Sequence, residues 1–264
     1  MSLLSRDRVL VGFAPERLTA LAVGGWRARL VDRHARLLAG QDAGRWDQGI
    51  AALEALLNEP AWHGRDVHVV LSAHYVRHVV VPAAPGMSDA ERLNLAEVVF
   101  REVFGELARD WDLRVSPGRD GVPTIGCGAP RGLIAALRDA VKGRGRLAAI
   151  QPSLMPVFNR ARRDMEKAVG CLALVEPGRI TLASLANGQW QYVDSRAGGG
   201  GLLPQLLLEE GELHARQPGG ILWLCDLSGD ARVPGGGFWS HKRVDPPALP
   251  GFDGLSNLAV WGMA

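Results

Sequence analysis

One order of elements occurs twice in this chain, and it constrains the fold more than any single motif. Arg8–Phe13 is apolar, Ala14-Pro15-Glu16-Arg17 is a turn, and Leu18–Val23 is apolar again. Gly24-Gly25 makes a second turn, and Trp26–Leu38 returns with Arg27 and Arg29 alternating against Ala28 and Leu30. A helix follows, in which Trp46, Ile50, Leu53 and Leu57 recur at the helical period and Pro60 closes the run. Val67–Leu71 is then a buried strand. The same order restarts at Cys171. Strands Cys171–Val175, Ile180–Ala186 and Trp190–Asp194 are joined by turns at Pro177-Gly178 and Asn187-Gly188, the second a strong hairpin signal. Helix Leu202–His214, with Pro204 in its first turn, and buried strand Ile221–Cys225 complete the copy. The repeat is one of element order, not of residues. Strands alternating with helices in two rounds predict an α/β protein of two related lobes, 1–165 and a shorter 166–264.

Between the rounds, Val76–Val81 reads as a strand ended by Pro82. Ser88-Asp89-Ala90-Glu91 has the pattern of a capping box, opening a helix to about Gly105 that carries Leu95, Val98, Val99, Glu102 and Val103. Trp111–Val115 and Thr124–Cys127 form an antiparallel pair about Gly118-Arg119-Asp120-Gly121. Helix Arg131–Val141, strand Arg146–Ile150 and helix Ser153–Met165 follow. Ser228–Pro250, rich in Gly and Pro, reads as irregular, and Leu255–Met263 as a last short element.

Charge and cysteine content remove several classes of function. Thirty basic against 28 acidic residues leave +2, which gives no drive toward nucleic acid or an anionic membrane, and no aromatic stacking pattern accompanies the basic residues. Cys127, Cys171 and Cys225 are odd in number and far apart, so they read as small buried hydrophobes, not a disulfide framework. Met1–Arg8 lacks the apolar core of a signal peptide, and no run approaches the ~18 apolar residues of a membrane span. A cytoplasmic protein is expected, one that reaches the inner membrane through partners.

A doubled βββαβα plan is that of the actin-like ATPase (ribonuclease-H-like) fold, here with a reduced second lobe. Within it the chain resembles the cytoplasmic assembly proteins of type IV pili and type II secretion: PilM, the cytoplasmic part of GspL, and MshI. Four stretches carry the likeness: RVLVGFAPERLTALAV, CLALVEPGRITLASLANGQW, SRAGGGGLLPQLL and the terminal NLAVWGMA. The resemblance implies ATP and magnesium as cofactors. It implies inner-membrane assembly proteins as partners, met through a short cytoplasmic tail or a ferredoxin-like domain, and the secretion ATPase as another. The want of a span favours a stand-alone, PilM-like arrangement.

In this fold each hairpin offers amides and a carboxylate to phosphate and magnesium, and magnesium takes hard oxygen ligands. Here Gly12 and Ala14 stand where the first Asp-x-Gly is expected. In the second hairpin Glu176 replaces an aspartate only with a shift of register, and Pro177 removes an amide donor. We therefore expect no catalytic residue, no bound cofactor and a pseudo-ATPase. The residual nucleotide-site candidates are Gly198, Gly199, Gly200 and Arg196, where glycines precede a helix N-terminus, with Glu176 and with Asp226 at a strand end.

Other clusters read blandly. His68, His74 and His78 share a parity but match no zinc spacing. Ser72 and His74 lack an orienting acid. Arg160, Arg162, Arg163 and Lys167 read as a solvated helix face, or as one turned to a membrane or an acidic tail. Among eight tryptophans, Trp46 is expected in the core, while Trp239 and Trp261 are harder to bury and suit an interface. Three functions stay open: a scaffold of a pilus or secretion platform, an active ATPase or small-molecule kinase of the same fold, and an α/β binding domain unrelated to actin.

Overall fold

The computed structural model describes residues 7–25, 29–39, 45–213, 220–233, 239–247 and 258–263. In chain order these form β1 (Arg8–Phe13), β2 (Arg17–Gly24), β3 (Arg29–Leu37), α1 (Asp47–Asn58), β4 (Asp66–Leu71) and β5 (Arg77–Val81). Next come α2 (Asp89–Phe104), β6 (Trp111–Val115), β7 (Thr124–Pro130), α3 (Arg131–Val141), β8 (Arg146–Pro152) and α4 (Leu154–Met165). The last are β9 (Val169–Glu176), β10 (Arg179–Ala186), β11 (Gln189–Ala197), α5 (Leu203–Leu213), β12 (Gly220–Asp226) and β13 (Trp239–Arg243). Gly105–Asp110, Gly200–Leu202 and Leu258–Met263 are 3-10 helices. The Trp26–Ala28 start of the third strand, and 255–257 of the terminal element, lie outside the described residues.

The chain divides into two compact units, one of Met1–Tyr75, Arg131–Pro156 and Pro246–Ala264, the other of Val76–Pro130 and Val157–Asp245. The cut is not the sequential one at 165. Strands that return to a sheet from far along the chain pull 131–156 and the terminal helix to the first unit and leave 76–130 with the second.

The first unit is built on the sheet β3-β2-β1-β4-β8. Its first three strands form an antiparallel meander, and β4 and β8 add in parallel. β1 is apolar at nearly every position because both of its faces are covered. Phe13 meets Gly49 of α1 on one face. On the other, Leu10, Leu21 and Val23 pack with Ala259 and Val260 of the terminal 3-10 helix. Trp261 is 0 % exposed, which corrects the expectation that a tryptophan so near the end is hard to bury.

The second unit repeats the plan as β11-β10-β9-β12-β13, again three antiparallel strands and two parallel additions. Cys171, Ala173, Val175, Ile180, Leu182 and Leu222 pack with Leu203, Leu206 and Leu207 of α5. Asn187 and Gly188 both take positive φ, 52° and 73°, as a two-residue primed turn requires. The sheet has as many strands as the first, because Trp239–Arg243 within the expected irregular stretch is a strand. The shortening falls on the β12–β13 connection, in which no helix occurs among the described residues.

The second unit also holds the antiparallel sheet β5-β7-β6 under α2. The capping box is formed. Ser88 Oγ accepts from the Glu91 amide at 3.3 Å, and Glu91 Oε2 accepts from the Ser88 amide at 2.8 Å. The buried face of α2 is Arg92, Ala96 and Phe100. Leu95 and Val99 are peripheral, while Val98 and Val103 are exposed. No described helix is long and apolar enough to cross a membrane.

Candidate functional site

The second unit gathers most of the sequence-derived candidates at one end of its sheet. β9 and β10 turn at Pro177-Gly178, and Glu176 pairs in register with Arg179. The Glu176 residue is buried, so its carboxylate does not stand out as a free metal ligand. Burial pulls the Arg179 guanidinium below its ordinary pKa, while Glu176 and Asp194 act in the opposite direction. The chain then returns along β11, and the Gly198 amide donates to the Gly178 carbonyl at 3.0 Å. This bond seats the glycine run beside the hairpin turn.

Gly200 lies so near the following loop that a Cβ there would stand 2.5 Å from the Ala231 backbone, so only glycine fits. Its amide, at the start of the helical segment, donates to Asp230, with 3.2 and 3.1 Å to the two carboxylate oxygens. The Arg232 amide donates to the Gly200 carbonyl at 3.2 Å, closing the contact from the other side. The Ser228 hydroxyl lies between Asp230 and Asp226. Its bond, and then that from Gly200, hold the Asp230 carboxyl below the usual carboxylate range.

Asp226 ends β12, as the sequence indicates, and folds its carboxylate onto its own loop. Oδ1 accepts from the Ser228 amide at 3.1 Å, the Ser228 hydroxyl at 2.8 Å and the Gly229 amide at 2.8 Å. Oδ2 accepts from the Ala231 amide at 3.2 Å. Gly198, Gly199, Gly200, Glu176 and Asp226 are thus neighbours. Arg196 is turned to other work. Its Nε donates to Asp194 Oδ2 at 2.7 Å and its Nη1 to Glu209 Oε2 at 2.8 Å. The bond to Asp194 chiefly raises its pKa. With Ile180, Leu182, Tyr192 and Leu206, this cluster lines a shallow recess between β10, β11 and α5.

Ser228 and Asp230 were the residues missed. Asp226-Leu-Ser228-Gly-Asp230 carries the signal, an aspartate with serine and glycine two and three positions on, the pattern of a side chain that bonds its own following backbone.

In the first unit, a Cβ on Gly12 would stand 2.5 Å from Thr19 Oγ1 and 2.6 Å from the Ala259 amide nitrogen. The position serves close packing of the terminal helix, and the turn is closed by bonds between Ala14 and Arg17. The histidines do not converge. His68 is on β4, and His78 is on β5 in a different sheet. Among the described residues no group of three or more metal-ligating side chains occurs.

No family model matches this chain, and no curated protein matches it. Solved structures do, and they define the class. A Bacteroides thetaiotaomicron protein with an actin-like ATPase fold superposes at TM-score 0.60 and 10 % identity, over 85 % of this chain and 84 % of that one. The chain has the actin-like fold that its doubled element order predicts. The group named from its motifs is also among the structural neighbours. The cytoplasmic domain of EpsL, an inner-membrane component of the type II secretion system of Vibrio cholerae, matches at TM-score 0.57 and 15 % identity, over 97 % and 93 % of the two chains. The PilM–PilN type IV pilus biogenesis complex matches at 0.53 and 13 %, over 78 % of this chain and 66 % of that one.

Proposed function

We propose that this protein is a scaffold of an inner-membrane assembly platform for a type IV pilus or a type II secretion system. In this reading it binds the cytoplasmic segment of a membrane partner and acts from the cytoplasmic side. Its nucleotide site has lost hydrolysis. The likeness to the EpsL cytoplasmic domain over nearly all of both chains supports the platform assignment. The PilM–PilN structure supports a membrane-protein partner.

The bond from the Gly200 amide to Asp230 carries the pseudo-ATPase part of the reading. A helix N-terminus with open amides favours an anion. Here an internal carboxylate already fills that place, and a phosphate brought against it would meet like charge. The Asp226 oxygens face amides of their own loop, and Arg196 is held by two carboxylates. This donor set does not fit magnesium and ATP.

Two titrations test the proposal. ATP with magnesium should give no binding heat and no turnover. A peptide copied from the cytoplasmic tail of the PilN-like protein encoded in the same genome should bind saturably. Magnesium-dependent ATP turnover would restore the ATPase or kinase reading, and failure of such tails to bind would remove the scaffold reading.

A further inference from the structure

We propose that Arg92 and the turn that covers it, residues 116–123, form a binding site for a phosphate-type oxyanion. The inference does not depend on the scaffold reading. It starts from one buried charge in the second unit.

Arg92 belongs to the buried face of α2 and is only 6 % exposed. Its Nη2 donates to the Arg119 carbonyl at 3.5 Å, the outer limit of a hydrogen bond. Its Nε and Nη1 are buried and have no hydrogen-bond partner among the described residues, and no carboxylate there pairs with it. A buried lysine or histidine can give up its proton, but a guanidinium keeps its charge. Charged donors left unbonded inside a protein are destabilising. The acids close by in sequence are engaged elsewhere. Glu91 Oε2 accepts from the Ser88 amide at 2.8 Å and the Ser88 hydroxyl at 2.7 Å, and Asp120 Oδ1 accepts from the Gly86 amide at 2.6 Å.

Little separates these donors from solvent. A Cβ on Gly118 would stand 2.6 Å from Arg92 Nη1, and Gly118 itself is exposed. The backbone of one glycine is therefore the cover at Nη1. The turn is fastened on either side of that glycine. The Ser116 amide donates to the Ile125 carbonyl at 2.9 Å, and Thr124 Oγ1 to the Ser116 carbonyl at 2.9 Å. The Val122 amide donates to the Arg119 carbonyl at 3.2 Å. Between these bonds, Pro117 has no N–H, and the Gly118 and Arg119 amides donate to no described residue. A small displacement of Pro117 and Gly118 uncovers the guanidinium and breaks no hydrogen bond of theirs.

An oxyanion supplies what the arginine lacks. It neutralises the charge and accepts strong, charge-assisted hydrogen bonds from the guanidinium. Successive free amides in a turn are a known seat for anions. The end of α2 is not that seat, because the capping box of Ser88 and Glu91 already fills it. Phosphate fits better than a carboxylate. Its oxygens are disposed tetrahedrally and can meet the turn amides and the guanidinium from different sides, whereas a carboxylate offers two oxygens in one plane. The same group reaches the site either as the free ion or as a phosphomonoester.

The test is a titration of the full chain with sodium phosphate, followed by the amide resonances of Gly118 and Arg119. Both should shift saturably, and both should hold still in sodium chloride of equal ionic strength. Arg92→Met should weaken binding about tenfold or more. So should Gly118→Ala, whose Cβ takes the space beside Nη1, and both variants should keep the wild-type circular dichroism spectrum. Glycerol 3-phosphate then separates the two sources. Binding tighter than that of phosphate assigns the site to a phosphoester, and weaker binding or none assigns it to the free ion. Shifts that chloride reproduces, or that never saturate, would mean an adventitious ion only and would overturn the proposal. So would an Arg92→Met chain that binds phosphate as the wild type does.

Discussion

The carboxylate of Asp230 accepts a hydrogen bond from the amide of Gly200, thirty residues earlier in the chain. This bond ties the β12–β13 connection to the start of α5. Asp230→Ala should remove it and lower stability by about 1 kcal/mol, small because the carboxylate is exposed. The same change opens the amide. Inorganic phosphate should then raise the melting temperature of the variant more than that of the wild type. Equal responses would separate the glycine turn from any anion-binding ancestry.

Gly12 and Ala259 are packed so closely that a methyl group at residue 12 would meet backbone. Gly12→Ala should cost about 2 kcal/mol, the scale of an overpacked core. The damage should be local to the terminal 3-10 helix, whose Trp261 is fully covered in the wild type. Limited proteolysis should therefore cut the variant within 258–263 under conditions in which the wild type resists.

Much of this architecture could be read from the residues, because both hairpins and the first parallel addition to each sheet, β4 and β12, are short, apolar and bounded by turns, whereas β13, Trp-Ser-His-Lys-Arg, has no apolar run to mark it. Val9, Leu10 and Val11 are buried together, and a strand covered on both faces leaves no alternation to misread. Three things were hidden. The core face of α2 does not stand out, because Leu95, Val98 and Val99 show a helical period as clear as that of Arg92, Ala96 and Phe100, and the sheet selects the second set. Trp261 is buried in a 3-10 helix whose Ala259 and Val260 pack on Leu10, some 250 positions away. The candidate site was legible as glycines and acids. That the acids face the glycines and their own loop depends on β12 and β11 converging at one end of the sheet, which no local pattern encodes.

Ser88 accepts from the Glu91 amide while Glu91 reaches back, and the bonds from Ser88 hold the Glu91 carboxyl below its ordinary range. Ser88→Ala should lower stability by about 1 kcal/mol, the usual cost of a lost N-cap. Ser88→Thr should recover most of it, since threonine also caps and keeps the hydroxyl that donates to Glu91 Oε2. Urea unfolding of the three proteins decides the matter, and an unchanged midpoint for Ser88→Ala would show that α2 is held by Phe100 and Trp111 alone, whose rings meet edge to face at 6.0 Å.

His78 is buried on β5, and neither ring nitrogen has a hydrogen-bond partner among the described residues. Burial, and then the neighbouring Arg77 charge, push its pKa down to about 3. In the unfolded chain a histidine titrates near ~6.5. Between these values the unfolded state binds a proton that the folded state refuses, so stability is full above about pH 6.5 and falls as the pH drops toward 3. The slope for one such group is at most about 1.4 kcal/mol per pH unit. His78→Leu, close in volume and without a proton to bind, should flatten that part of the curve and leave stability near neutral pH equal or higher, because two unpartnered polar atoms are removed with the ring. Thermal unfolding of both proteins at closely spaced pH values checks this. Parallel curves from neutral pH to pH 4 would mean that His78 gains water on a local opening before the fold is lost.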